Sequence, residues 1–413
     1  MEVLYARCCG LDVHQRVVVA CLSLVEAGLR RKEIRTFGTT TRELISMRNW
    51  LIEAGCTHVA MESTGVYWRP IYQRLFGFFE LVVANAQHLK AVPGRKTDVK
   101  DAEWIADLLQ HGLLSPSLVP PQDQQELRQL TRLRLSLTQE RSQLVNRIHK
   151  LLQEGGIKLT SVLSDVMGVS GRAILEALAT GESDPERLAS RAHKSVQHKH
   201  EALVEALVGD LREHHRFLLR ELLTLTQAVD RSIQHVEEEI EQRLRPFEAL
   251  LERLCQITGV SRHILHVLLA EVGIDMKRFP DAAHLSSWAG VCPGNNESAG
   301  KRRTGRTRPG NHYVKVALVQ AAHAAAHTQT YLGEQYRRLQ HRRGAKRAAL
   351  AVAHSILVIF YHMMVTGQPY QEKGVEFFQQ MDRHQVTDRL IQRLQRLGYQ
   401  VLAPEMSQGP PAA

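Results

Sequence analysis

Acidic residues almost vanish from one long stretch of this chain. From Ser298 to Gln371 the only acid is Glu334, against twelve bases: Lys301, Arg302, Arg303, Arg306, Arg308, Lys315, Arg337, Arg338, Arg342, Arg343, Lys346 and Arg347. Twelve less one leaves +11 there, while the whole chain of 413 residues carries +10, so the remainder roughly balances. A basic block inside a folded region is a local footprint for a polyanion, nucleic acid or a membrane surface. Cysteine is sparse as well. The six present (Cys8, Cys9, Cys21, Cys56, Cys255, Cys292) form no CxxC pair and no framework spacing. That sets aside a disulfide framework and reads as reduced, buried thiols of a cytosolic protein. The opening MEVLYARCCGLDV lacks the basic segment and apolar run of a secretory signal. Residues 348–365, AALAVAHSILVIFYHMMV, reach the lower length limit of a membrane span. His354, His362 and the alanines favour a buried helix of a soluble domain instead, with no membrane partner.

What is present suits a globular chain of two to three domains. Hydrophobic residues make up 44% and charged residues 23%, enough to bury a core. Residues 1–115 carry an α/β pattern. YARCCGLDV, QRVVVACLSL, GLRRKEIRTF, THVAMES and FELVVAN read as strands, with helices over 40–54, about 66–76 and in TDVKDAEWIADLLQHG. The order β-β-β-α-β-α-β-α predicts a ribonuclease-H-like fold. Residues 123–153 read as a long helix in which Leu130, Leu137, Leu144 and Leu151 recur every seven residues. Leu127 and Ile148 form a neighbouring column that Arg134 and Arg141 interrupt. Residues 201–244 read as a second long helix with a similar seam from Leu222 to Ile240, so the two predict a coiled-coil-like antiparallel hairpin or a dimerising arm. The expected domains are 1–115, 116–249 with an insert at 155–200, a mainly helical 250–366, and 367–413 with one helix and a Pro-rich end.

Four acids fall at element ends of the first domain. Asp12 ends the first strand, Glu62 ends the fourth, and Asp98 and Asp101 share a face at the start of the third helix. Carboxylates converging on one point repel unless a cation neutralises them, and oxygen-only ligands suit Mg²⁺ or Mn²⁺. Singly, an Asp after a strand is a turn residue, and Asp98 with Asp101 fits a helix cap. Their joint placement favours a metal site. Glu103 and Asp107, further along the helix, read as solvated.

In the second domain, CQITGVSRHILHVLLAEVG resembles a helix–hairpin–helix, whose turn at Gly259 would hold a DNA phosphate without reading sequence; Ser261 stands where a second Gly is usual, and an ordinary helical hairpin is the alternative. Phe279, Leu285, Trp288 and Ala289 read as packing. The stretch NNESAGKRRTGRTRPGN then sets a lone hydroxyl, Ser298, ahead of Lys301, Arg302, Arg303, Arg306 and Arg308. Arginines can stabilise charge on an attacked phosphate, so Ser298 is either a nucleophile or a phosphate-contacting or capping hydroxyl. No His adjoins it. The activating group is Glu297, His312 or the first domain's metal site.

Together GLDVHQ, AMESTGVYW, KTDVKDAEWIADLL, ITGV…LLAEVG and LSSWAGVCPGNNESAGKRRTGRTRPGNHYVKVALVQAA resemble the DEDD insertion-sequence transposases, the IS-one-ten family. The likeness covers the first 115 residues or so and about 255–365. It implies a RuvC-like N-terminal domain with Mg²⁺ on Asp12, Glu62, Asp98 and Asp101, and a C-terminal transposase domain whose serine joins covalently to DNA. Many members carry Ser-Ser-Gly-Gly; here Glu297 and Ala299 replace the first Ser and first Gly, leaving Ser298 as the nucleophile. It also implies dimers or tetramers with a composite catalytic centre, donor and target DNA as partners, and a structured bridge RNA as guide, in a prokaryotic cytoplasm. The absence of an obvious sequence-reading helix agrees with such a guide. The alternatives are a RuvC-like structure-selective nuclease using water alone, and a non-catalytic nucleic-acid scaffold. A sugar-kinase/actin fold shares the first topology but needs a duplicated half that residues 120–250 do not supply.

Overall fold

A computed structural model describes residues 3–26, 29–63, 65–84, 98–114, 116–117, 119–293, 296–298, 301–304, 307 and 309–399, with the backbone alone for 98–100, 296–298, 301–304, 379–386 and 388–389. The chain forms two units, Met1–Pro120 and Pro121–Ala413.

The first unit holds one mixed sheet. Strands β1 (Arg7–Val13), β2 (Val17–Glu26) and β3 (Leu29–Gly38) form an antiparallel meander; helix α1 (Thr41–Glu53) leads to β4 (His58–Glu62), and α2 (Trp68–Leu75) leads to β5 (Glu80–Ala84). The spatial order is β3-β2-β1-β4-β5, with β4 parallel to both β1 and β5. The order read from the sequence is the order found. β1 lies at the centre and its RCCGLDV is buried almost throughout, as a strand covered on both faces requires. β3, LRRKEIRTFG, is an edge strand, and its charges guard it against further pairing. One face packs Cys9, Leu11, Val59 and Met61 against Leu44, Met47, Leu51, Ile71 and Leu75 of α1 and α2. The other face takes α3 (Asp98–Gln110) through Ile105 and Leu109. α3 lies so close that a Cβ at Gly10 would overlap Ala106 N and Ala102 O.

Among its described residues the second unit is helical apart from one short hairpin. α4 (Gln122–Glu154) begins it. The short helices α5 (Val169–Thr180), α6 (Pro185–Ser190) and α7 (His200–Leu207) follow, and α8 (Glu213–Leu244) returns. The register of ion pairs shows that α4 and α8 run antiparallel: Glu126 with Arg243 (2.7 Å), Arg134 with Glu237 (3.0 Å) and Arg141 with Asp230 (2.5 Å). The two arginines that break the apolar column are thus rungs between the helices. The second long helix begins at Glu213, not near 201. Gly209 is the reason: it packs against the Gly155 carbonyl with no room for a side chain, and Asp210 N donates to Gly155 O (2.9 Å). The insert is a small helical core of its own, with Leu159, Ile174, Leu175, Leu188 and Leu203 packed on Ile148, Leu152, Leu219 and Leu223.

The rest comprises α9 (Glu248–Leu254), α10 (Arg262–Val272), α11 (Ala282–Ala289), strands β6 (Asn296–Ser298) and β7 (Lys301–Thr304), then α12 (His312–Ala326), α13 (Tyr331–Arg343), α14 (Ala345–Thr366) and α15 (Phe377–Arg396). α14 is the apolar run. It is long and apolar enough to cross a membrane, yet Val352, Ala353, Ile356, Leu357 and Phe360 are buried against other helices of the unit, as in the core helix of a globular domain. Phe279, Leu285 and Ala289 are buried and Trp288 packs beside them, as expected. Of the cysteines, Cys8, Cys9, Cys21 and Cys56 are buried thiols, whereas Cys255 is exposed and Cys292 partly so. Cys255 follows the end of α9, and Cys292 lies between α11 and β6; the neighbouring Leu254, Ile257 and Val291 take the buried positions.

Candidate active site

Strand register sets the first cluster. Leu11 pairs with Met61 across the parallel β1–β4 ladder, so Asp12 and Glu62, the next residues of each strand, stand on neighbouring strands at the same level. Such strands lie about 4.8 Å apart. Leu11 and Met61 face α1 and α2, so alternation turns Asp12 and Glu62 to the α3 face. α3 crosses that face antiparallel to β1. Cys8 Sγ lies against Ala106 O (3.8 Å), and two residues on, Gly10 meets Ala102 and Ala106. A strand climbs about 6.6 Å in two residues and a helix about 6 Å in four, which brings residues 98–102 level with Asp12. Asp12 is 7% exposed and its Oδ2 meets His14 Nε2 at 3.0 Å; Glu62 and Asp101 are half-buried. The carboxylate of Asp98 lies outside the described atoms. Among the described residues, no group of three His, Cys, Asp or Glu side chains is close enough to hold a metal ion. The donor chemistry, carboxylate oxygens only, fits Mg²⁺ or Mn²⁺.

Asp107, read from the sequence as a solvated residue, is half-buried and ion-paired. It receives the Arg30 guanidinium and Lys32 Nζ (3.0 Å) from β3, two turns of helix beyond the acids. A helix packed on a sheet meets strand residues far away in sequence, which helix spacing alone cannot reveal. This ion pair clamps α3 against the meander.

The second cluster lies in the basic stretch. Read as a loop, it contains a β-hairpin: Ser298 pairs with Lys301, Glu297 with Arg302 and Asn296 with Thr304, with a bulge between Asn296 and Glu297. An isolated bridge from Pro293 to Thr307 extends it. Arg306 and Arg308 lie outside the described residues, as do the side chains of Ser298, Lys301, Arg302 and Arg303. Gly259, in the turn before α10, has φ +81°, and a Cβ there would overlap Ala321 O and Ala325 N of α12. Packing alone therefore requires glycine there.

Comparison with known proteins now bears on both clusters. Residues 9–156 match the DEDD transposase family model of the IS110 group, and residues 251–337 match the model of the IS116/IS110/IS902 transposase family. The chain belongs to the IS110 family of transposases. It is 26% identical over 319 residues to a probable family 20 transposase of Pseudomonas aeruginosa, covering 76% of this chain and 79% of that protein. It is 26% identical over 329 residues to the transposase for insertion sequence element IS1111A of Coxiella burnetii, covering 78% and 80%. It is 29% identical over 310 residues to an insertion element IS110 protein of Streptomyces coelicolor, covering 69% and 75%. The enzyme is thus a DNA transposase, and a DEDD domain points to a divalent-metal-dependent nuclease.

What anchors the basic hairpin of this transposase was not visible in its sequence. Glu271 of α10 is fully buried and takes Arg132 in both oxygens (2.7 and 2.9 Å) and Arg128 at 3.4 Å. Asn311, the last residue of the basic stretch, donates Nδ2 to Glu271 Oε2 (2.7 Å), while its Oδ1 accepts from Tyr313 N and Val314 N to cap α12. Asn311 N also donates to Trp288 O (3.2 Å), and Gly310 lies against the Ala289–Gly290 backbone with no room for a Cβ. The C-terminal leg of the hairpin is therefore tied to α4, α10 and α11. A lone Glu among apolar neighbours, in RHILHVLLAEV, was the available signal.

Proposed function

We propose that this transposase cuts and rejoins DNA through a serine–phosphate bond, with Ser298 as nucleophile and Mg²⁺ held by Asp12, Glu62, Asp98 and Asp101. The observation that carries the reading is the hairpin. Ser298 pairs with Lys301 at one end of a ladder whose second strand opens with three consecutive bases, Lys301, Arg302 and Arg303. Ser298 Oγ loses its proton and attacks phosphorus. An Oγ–P bond forms while the P–O bond to one DNA strand breaks, and the departing oxygen takes a proton. A hydroxyl of a second strand then attacks the same phosphorus and restores Ser298 with its proton. One phosphodiester replaces another, so no external energy source enters. Lys301, Arg302, Arg303, Arg306 and Arg308 neutralise the phosphate oxygens on which charge builds. The divalent cation, when bound, supplies Lewis-acid neutralisation of phosphodiester oxygens. Glu297, His312 and the carboxylates of the first unit are the available proton acceptors. The turn at Gly259, resembling a helix–hairpin–helix, adds a phosphate contact. A structured guide RNA, and dimers or tetramers in which acids and serine come from different protomers, belong to the same reading. The guide RNA is supported by a basic sequence in which no obvious sequence-reading helix occurs among the described residues.

The test is Ser298→Ala in full-length protein with substrate DNA, read on a denaturing gel. Loss of the protein–DNA band together with strand cleavage is expected. Cleavage that persists without a covalent band would transfer the chemistry to water, as in a RuvC-like nuclease. If Asp12→Asn and Glu62→Gln also leave activity intact, the acids are not catalytic.

A further inference from the structure

Arginines on the helices of the second unit commonly face carboxylates. Arg132 meets Glu271, Arg134 meets Glu237, Arg141 and Arg172 share Asp230, and Arg262 lies between Glu241 (2.6 Å) and Glu248 (2.5 Å). One corner departs from this. Where α13 ends and α14 begins, Arg342, Arg343, Lys346 and Arg347 are all exposed, and among the described residues none of them has an ion pair. No acid occurs between Gln335 and Gln371 to serve them. The two helices meet at Gly344, at φ +82° with nothing within 4 Å of where a Cβ would stand, so the corner is convex and open.

The placement also costs stability. Lys346 and Arg347 occupy the first turn of a helix of 22 residues, at the positive end of its dipole, with no acid in that turn. A cation there is unfavourable by about 0.3–1 kcal/mol. A solvated face does not need charges in that position. An anionic partner reverses the sign of the effect.

We propose that this α13–α14 corner is a second nucleic-acid contact of the transposase, separate from the Ser298 hairpin, and that it grips the phosphate backbone of duplex DNA without reading sequence. Charge complementarity selects a polyphosphate. The corner itself offers no exposed ring, which favours a duplex over a splayed single strand: in QYRRLQHRRGAKRAAL the only Tyr, Phe or Trp is Tyr336, and it is buried, while the nearest ring pairing with a base of α13, Phe378, lies against Arg338, one turn before Arg342. The reading is independent of the role of Ser298, because it concerns binding and not bond cleavage.

The test uses full-length protein and a random-sequence duplex of some thirty base pairs. Neutralising all four, with Arg342→Gln, Arg343→Gln, Lys346→Gln and Arg347→Gln, is expected to flatten the plot of log binding constant against log salt by about 0.9 for each phosphate that is no longer neutralised, two to four phosphates in all. A control neutralises the exposed Lys150, Lys158, Lys194 and Lys199 to Gln, for the same change in net charge, and leaves the slope within about 0.9 of the parent's. Separately, Lys346→Glu with Arg347→Glu is expected to raise the melting temperature while lowering duplex affinity tenfold or more. An unchanged salt slope in the quadruple variant overturns the proposal, as does a flattening equal to that of the lysine control. Weaker binding of single-stranded DNA or a structured RNA, but not of the duplex, overturns the choice of duplex DNA.

Discussion

At the scale of single residues, the buried charges of the second unit carry the clearest consequences. Glu271 has no water to share its charge, so removing the carboxylate strands Arg132 and Arg128. Glu271→Ala is expected to cost about 3–5 kcal/mol of unfolding free energy in urea titration. His266 is fully buried beside Arg134, with Arg134 Nη1 at 3.2 Å from its Nδ1. Burial, and then the Arg134 guanidinium, push its pKa down to about 4 against an ordinary 6.5, with Glu241 opposing. The unfolded state therefore takes up the proton first. Stability is expected to fall as pH drops from 6.5 towards 4, by about 2 kcal/mol between pH 7 and pH 5 from this group. Urea midpoints at the two pH values check it, and His266→Gln should flatten the difference.

Among elements, the decisive contact is that of α3 on the sheet. Gly10 leaves α3 no clearance, and the same helix carries Asp98 and Asp101. Gly10→Ala is expected to lift α3, lowering DNA cleavage at least tenfold and destabilising the first unit by about 1–3 kcal/mol. A purified Gly10→Ala variant with parental melting temperature and cleavage rate would show that the close approach is dispensable. At this scale the sequence was largely legible. Apolar runs bounded by turn signals located the five strands of the sheet, leucines every seven residues located α4, and steps of four and three from Leu222 to Ile240 located most of α8. It failed where a partner decides the element. Whether NESAGKRRT is loop or hairpin depends on cross-strand pairing. The break before α8 depends on Gly209 meeting Gly155.

For the whole molecule, charge and metal act separately. The positive excess lies in one block and attracts DNA whether or not a cation is bound, while cleavage in the proposed reading needs one. Chelation is expected to abolish cleavage and spare duplex binding at constant ionic strength, with Mg²⁺ or Mn²⁺ restoring activity. Equal cleavage in chelator and in Mg²⁺ would remove the four acids from the chemistry.

By itself the sequence determined the strand and helix order, the acids at element ends, the lone serine before a basic run and the likeness to transposases. Periodicity, turn chemistry and charge are local properties, and local properties can be read along a chain. Tertiary structure alone decided that Asp12 and Glu62 are level on adjacent strands, that Asp107 clamps rather than solvates, and that Glu271 reaches Asn311. It also decided which arginines find carboxylates and which are left exposed. Those outcomes depend on register and close packing between residues tens to hundreds of positions apart, where one residue of slip would reverse them.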